Sequence, residues 1–146
     1  MKLEGRILLR SHIEDVWNFI SEPTKVIECV PGVQDYSVAE GKRIIAKVKV
    51  SIGFIKGIFH AYSNVIEEDH ENYKAKLRLN GSGAGSGFDA LVEIKLGELG
   101  SETELAWMAD VSISGPLGSL ARPMLEGYVR KIVDQLFDCI KHKLAN

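Results

Sequence analysis

Apolar and polar residues alternate with a period of two through most of the first 114 positions, and the period changes near the C-terminus. Arg43 to Ile52 is the cleanest case: Ile44, Ala46, Val48, Val50 and Ile52 fall on one side, Lys47, Lys49 and Ser51 on the other. That is the pattern of a strand with one buried face. Similar alternation predicts strands over Lys2 to Arg10, Phe54 to Glu67, Tyr73 to Asn80, Phe88 to Leu96 and Thr103 to Ser114, with one more beginning at Val33. Between the strands Tyr73 to Asn80 and Phe88 to Leu96 lies Gly81-Ser-Gly-Ala-Gly-Ser-Gly87, which reads either as a flexible, bulged hairpin or as a stretch whose missing side chains leave room at a cavity mouth.

Helical signals sit at two places. Ser11 and Glu14 form a Ser-x-x-Glu capping box ahead of Ile13, Val16, Trp17 and Ile20, and Pro23 opens a second short helix ending at Val30-Pro31-Gly32. From Gly115 to Asn146, Leu117, Leu120, Ala121, Met124, Leu125, Tyr128, Val129, Ile132, Val133, Leu136, Phe137 and Ile140 recur at three- and four-residue steps. The spacing predicts one helical face of about seven turns, starting at Pro116 and kinked by Pro123. A strand, two helices, about six antiparallel strands and one long helix make an α+β, helix-grip fold: a curved sheet wrapped around the C-terminal helix. Residues 1–146 form a single domain.

Pairing the apolar faces of the last two strands sets Leu96 opposite Leu105, Ile94 opposite Trp107, Val92 opposite Ala109, Ala90 opposite Val111 and Phe88 opposite Ile113. Asp89, Glu93, Glu104 and Asp110 then face water, so they are not an acid–base pair. In the strand from Phe54, His60, Tyr62 and Asn64 share one face and Phe59, Ala61, Ser63 and Val65 the other; alternation alone does not choose which is inside. Gly118, Ala121 and Gly127 lie along or beside the apolar stripe of the long helix, where they either permit close packing or hollow out a pocket. Such a pocket would be lined by Phe59, Ala61, Phe88, Trp107, Leu120, Met124, Leu125 and Tyr128. With few inward polar groups it suits a lipid-like or isoprenoid molecule better than a polar metabolite. Outward-facing Lys47, Lys49, Lys56, Lys74, Lys76 and Arg78, with His60, would form one basic patch for anionic headgroups or an acidic partner enzyme.

Charge and composition change this picture little. Eighteen basic and twenty acidic residues nearly cancel, and no aromatics interleave with the cations, which argues against nucleic acid. No run of eighteen apolar residues is present, and the N-terminus does not read as a signal peptide. Cys29 and Cys139 are expected as reduced thiols of a cytosolic protein, with a disulfide between them as the alternative. Neither metal-ligand spacing, a phosphate loop nor a nucleophile elbow is found, so no cofactor or metal is expected.

Several local stretches carry a family resemblance over nearly the whole chain: Val16-Trp17, Glu28-Cys-Val-Pro-Gly32, Gly57-Ile-Phe-His-Ala61, the glycine run ending Gly87-Phe88, and Gly115-Pro-Leu-Gly118. Together they resemble the CoxG family of carbon monoxide dehydrogenase subunits, within the START-like, SRPBCC superfamily. The resemblance implies a START/Bet v1-like helix-grip fold with an apolar ligand between sheet and helix. It favours Phe59 and Ala61 inside and His60 and Tyr62 outside. It also implies association with a molybdenum hydroxylase of the carbon monoxide dehydrogenase type, in maturation or membrane recruitment. Some members carry a C-terminal extension tied to membrane attachment; with Asn146 the last residue, none is expected here. The resulting expectation is a non-catalytic binder of a lipid, isoprenoid or quinone-like molecule, cytoplasmic or peripheral at the inner face of the membrane. The alternatives are a cyclase or hydrolase of the same fold, or a docking subunit with a solid core.

Overall fold

A computed structural model describes residues 1–145; Asn146, the end of the predicted terminal stretch, lies outside them. In chain order the elements are β1 (Lys2–Leu9), α1 (Ile13–Ile20), α2 (Pro23–Ile27), β2 (Val33–Ala39), β3 (Arg43–Ile52), β4 (Ile55–Asp69), β5 (Lys74–Gly83), β6 (Ser86–Leu99), β7 (Glu102–Ser114) and α3 (Arg122–Leu144). Single 3₁₀ turns cover Glu40–Lys42 and Pro116–Ser119. The seven strands form one antiparallel sheet in the order β1-β7-β6-β5-β4-β3-β2. β1 and β2 thus lie at opposite edges although only α1 and α2 separate them in sequence. That segment must cross the width of the sheet, and it closes one end of the molecule.

Register follows side-chain parity. All five predicted β6–β7 pairs occur, from Leu96 opposite Leu105 to Phe88 opposite Ile113. The β5–β6 connection is a two-residue turn at Ala84 and Gly85, both with positive φ, which matches the twist of a tight hairpin. Pairing continues regularly to Gly83 opposite Ser86, so no bulge is present in the glycine run. Instead its glycines admit aromatic rings. A Cβ on Gly81 would stand 2.7 Å from the Phe88 ring, and one on Gly83 would stand 2.7 Å from the Phe59 ring. Those positions are closed by aromatics packed on bare backbone, not left open.

Four local expectations are corrected. Helix α1 begins after His12, which makes no side-chain cap. Ser11 does not cap it; its carbonyl instead accepts a bond from the Thr103 hydroxyl at 2.8 Å, tying the helix entry to β7. The long terminal helix is also interrupted: Leu120 and Ala121 are extended, and α3 starts at Arg122 with Pro123 in its first turn. A proline there forfeits no helical bond, so Pro123 starts the helix and does not kink it. Lastly, Cys29 and Cys139 are not separate thiols. Their Cα atoms stand 5.5 Å apart and the sulfurs are bonded, a separation suited to a disulfide. The bond joins the end of α2 to the C-terminal half of α3 across 110 positions of sequence.

Candidate functional site

The inward face of the sheet is built in rows that run across the strands. One row is Ala61, Gly81, Phe88 and Ile113; the next is Ser63, Leu79, Ala90 and Val111; the next is Val65, Leu77, Val92 and Ala109. Helix α3 faces these rows with Leu125, Tyr128, Val129, Ile132, Val133, Leu136, Phe137 and Ile140. The buried residues do not merge into one core. The largest cluster, around Leu9, Val16, Trp17, Leu105, Phe137 and Ile140, lies beneath α1. A second, of Ile52, Ile55, Phe59, Leu117 and Leu125, lies at the opposite end, and a third of Ile27, Ile44 and Ala46 lies beneath α2. Between them Ala61, Val65, Leu77, Leu79 and Ile132 point inward, stay half-exposed and belong to none of the clusters. Folded interiors otherwise fill such positions to crystal-like density. Water still reaches these inward apolar side chains, so α3 does not fully cover the centre of the sheet.

Polar groups between the sheet centre and α3 are sparse. Ser63 lies in the middle row, and Tyr128 looks in from α3, where burial pushes its phenol up and the Ser51 backbone pulls the other way. The hydroxyls of Thr103 and Ser86 are engaged elsewhere, the first on the Ser11 carbonyl and the second accepting the Leu117 N–H at 2.9 Å. His60, Tyr62 and Asn64 face outward, and the Arg43 guanidinium covers the Tyr62 ring at 5.2 Å. Among the described residues no cluster of three or more His, Cys, Asp or Glu side chains could hold a metal ion. The arrangement can shelter an apolar molecule and offer it one or two hydroxyls.

Of the eight expected lining residues, Phe59, Phe88, Leu120, Leu125 and Tyr128 come together in one cluster, with the Phe59 and Phe88 ring centroids 6.5 Å apart. Ala61 adjoins it on the inward face. Trp107 is inward too but belongs to the cluster beneath α1, its indole lying on Gly5, where a Cβ would come within 2.7 Å of the ring nitrogen. Met124 is the exception. It is 48% exposed and lies outside the interior, its sulfur beside Gly53 in the β3–β4 turn. Of the small residues, Gly118 and Ala121 precede α3, Gly118 lining an opening beside β7, and Gly127 is exposed with nothing within 4 Å of where its Cβ would stand.

Two concavities stand out. One, of about 390 Å³, opens between β7 and the start of α3 and is lined by Met1, Val111, Ile113, Leu120, Arg122 and Leu125. The other, of about 670 Å³, is an open groove on the outer face, bordered by Glu4, Arg6, Lys74, Lys76, Glu93 and Met108. The first shares Leu120 and Leu125 with the cluster around Phe59; the second shares nothing with that cluster and reaches Ile94 and Trp107 of the cluster beneath α1. Charge on the outer face does not form the single basic patch expected. Lys76 lies 3.7 Å from Glu67 and 3.5 Å from Glu93, and Arg78 holds Asp89 at 2.7 Å. That pairing keeps the Asp89 carboxyl below its usual range. Lys47, Lys49 and Lys56, on β3 and β4, have no carboxylate within salt-bridge distance among the described residues.

The family pattern for CoxG, a carbon monoxide dehydrogenase subunit, matches residues 5–145. The chain belongs to the CoxG family. Solved structures agree on the fold. A conserved protein from Geobacillus kaustophilus superposes with a TM-score of 0.92 at 23% identity, over 99% of this chain and 95% of that one. A START superfamily protein from Mycobacterium smegmatis follows at 0.72 and 14%, over 99% and 97%. The Zhui aromatase/cyclase from Streptomyces sp. R1128 gives 0.72 and 13%, over 99% and 93%. No curated protein matches the chain. These likenesses show a shared fold, the curved sheet with its long C-terminal helix.

Two features have little or no local signal in the sequence. Phe54, 80% exposed, is marked by nothing except a glycine before it in a lysine-bearing hairpin. The disulfide leaves no local trace at all, because its halves are brought together by the packing of α2 on α3.

Proposed function

We propose that this CoxG-family chain is a non-catalytic carrier of a hydrophobic molecule, a lipid, isoprenoid or quinone-like compound, held between the sheet and α3. It serves a carbon monoxide dehydrogenase-type molybdenum hydroxylase, in maturation, membrane recruitment or delivery of an electron carrier. It works in the cytoplasm, peripheral at the inner face of the membrane. The observation that carries the reading is the half-exposed inward patch of Ala61, Val65, Leu77 and Leu79 between separate core clusters. An apolar ligand there would remove that surface from water at about 25 cal/mol per Å². Family membership supports the partner, since the family takes its name from that enzyme. The Cys29–Cys139 bond bears on the location, because cytosolic thiols are normally kept reduced; alkylation of the chain in intact cells reads its state there.

Ala61→Trp would fill the space from the sheet side. Titrated with a quinone and with a fatty acid, it should bind at least roughly tenfold more weakly than the native chain, one buried aromatic being worth that much. Tyr62→Ala, one residue away on the outer face, should bind normally. Native binding by folded Ala61→Trp would refute the site.

A second reading, an enzyme of the same fold, draws on Ser63 and Tyr128 as inward hydroxyls and on the cyclase among the fold neighbours. Turnover of a polyketide-like substrate that Tyr128→Phe abolishes would favour it.

A further inference from the structure

The β3–β4 hairpin ends in a two-residue turn, Gly53 and Phe54, closed by the pair Ile52 and Ile55. Both flanking isoleucines are buried, at 6% and 5%, whereas Phe54 is 80% exposed. A large aromatic is thus held out in water by a firmly seated turn. Beside it Met124, at the start of α3, adds a second exposed apolar side chain. From Gly41 to Ile66 the sequence has no carboxylate at all, and Lys56, Lys49 and Lys47 step back from the tip along one outer face. Among the described residues they have no salt-bridge partner, while Lys76 and Arg78 on the next strand are both paired. Ile58, 43% exposed, lies between Lys49 and His60 on the same face. The opening of about 390 Å³ between β7 and α3 is at this end of the molecule, with Leu125 shared between its lining and the apolar cluster.

We propose that this end docks on an anionic bilayer, with Phe54 inserted at the level of the headgroups and Lys47, Lys49 and Lys56 on the lipid phosphates. An apolar tip flanked by uncompensated cations is the chemistry of a peripheral membrane contact. The docked pose sets the β7–α3 opening against the lipid, so a hydrophobic molecule can pass without crossing water. The proposal rests on the carrier reading for the cargo, not for the contact itself.

Flotation of the full chain with vesicles of phosphatidylcholine alone, or with phosphatidylglycerol added, tests it. Binding should require the anionic lipid and weaken with salt. Phe54→Asp should lower the partition coefficient at least roughly tenfold, and Lys47→Gln, Lys49→Gln or Lys56→Gln about fivefold each. Phe54→Ser provides a second variant, and both should melt as the native chain does, because the side chain packs on nothing. A native chain that ignores anionic vesicles, or Phe54→Asp binding them equally well, overturns the proposal; capture of an acidic protein by the lysines without vesicle binding does the same. The two readings separate in one further assay, titration with a quinone in solution. Phe54→Asp should keep that binding while losing vesicles. Phe54-dependent vesicle binding by a chain that takes up no hydrophobic molecule supports the docking and refutes the carrier.

Discussion

The two ends of this molecule are built to different standards. At the α1–α2 end the largest cluster of buried residues is fastened from several sides. The disulfide joins α2 to α3, Thr103 holds the entry to α1, and Glu14 reaches the tip of the β4–β5 hairpin. There the Glu14 carboxylate accepts bonds from the Tyr73 hydroxyl and from His70, the latter at 2.8 Å, while His70 stacks on Trp17 with ring centroids 5.4 Å apart. At the opposite end a smaller cluster is capped by a 3₁₀ turn, two extended residues and the exposed first turn of α3. The disulfide lies far from it. The proposed carrier role fits that division: one end is fixed while the other could admit a molecule, and a gap that opened at each end would cost the fold its core.

Breaking the disulfide should have the largest effect. Cys29→Ser with Cys139→Ser removes a closure over a very long loop, expected to cost about 2–5 kcal/mol in a denaturant titration, with quinone or fatty-acid binding retained. Equal loss of binding and stability would mean the two ends are not separable. Next, Leu105→Ala in the large cluster, where the side chain is 1% exposed, should cost about 2–5 kcal/mol. Leu125→Ala, in the small cluster beside the opening, should cost less, because its surroundings can collapse or take up solvent. Similar losses at both sites would erase the contrast. Gly127→Ala should raise stability by about 1 kcal/mol, since the position is helical and nothing lies within reach of an added Cβ; destabilisation would place it against the interior after all.

The smallest effect is that of acid. Bonds from Tyr73 and then His70 hold the Glu14 carboxyl below its ordinary value. A depressed carboxyl adds stability above its unfolded value, about 4.3, and that contribution disappears as the pH falls through the lower folded value. Melting temperatures between about pH 6 and 3 should therefore decline less steeply for Glu14→Gln than for the native chain. The difference will be modest, because the group is exposed and screened.

Much of the fold is legible in the sequence, and the reason is parity. A period of two fixes which residues share a face, and a short turn then fixes partners, so the β6–β7 pairs follow without further information. The same parity assigns the carboxylates of β6 to the outer face, and with it the neutralisation of Lys76 and Arg78 by Glu93 and Asp89, which only the cross-strand register makes visible. In β4 the alternation is symmetric. Its sense is decided by Phe59 packing on Gly83, a contact between strands. Where local rules compete with distant partners they fail. Ser11 is a good cap residue displaced by a bond from Thr103, and Met124 has helical spacing but precedes the point where α3 meets the sheet. The candidate site is legible as a set of apolar positions. Which of them stay uncovered depends on how far α3 stands from the central strands, and no spacing encodes that.

The central claim is that the interior carries a hydrophobic molecule, and it is tested most directly by mass spectrometry of an organic extract from the purified, folded chain, alongside a denatured control and Ala61→Trp. A stoichiometric isoprenoid, quinone or fatty acid is expected from the folded native chain, and little from the other two. An empty extract that stays empty after candidate lipids are offered, or the same lipid recovered equally from all three samples, would contradict it.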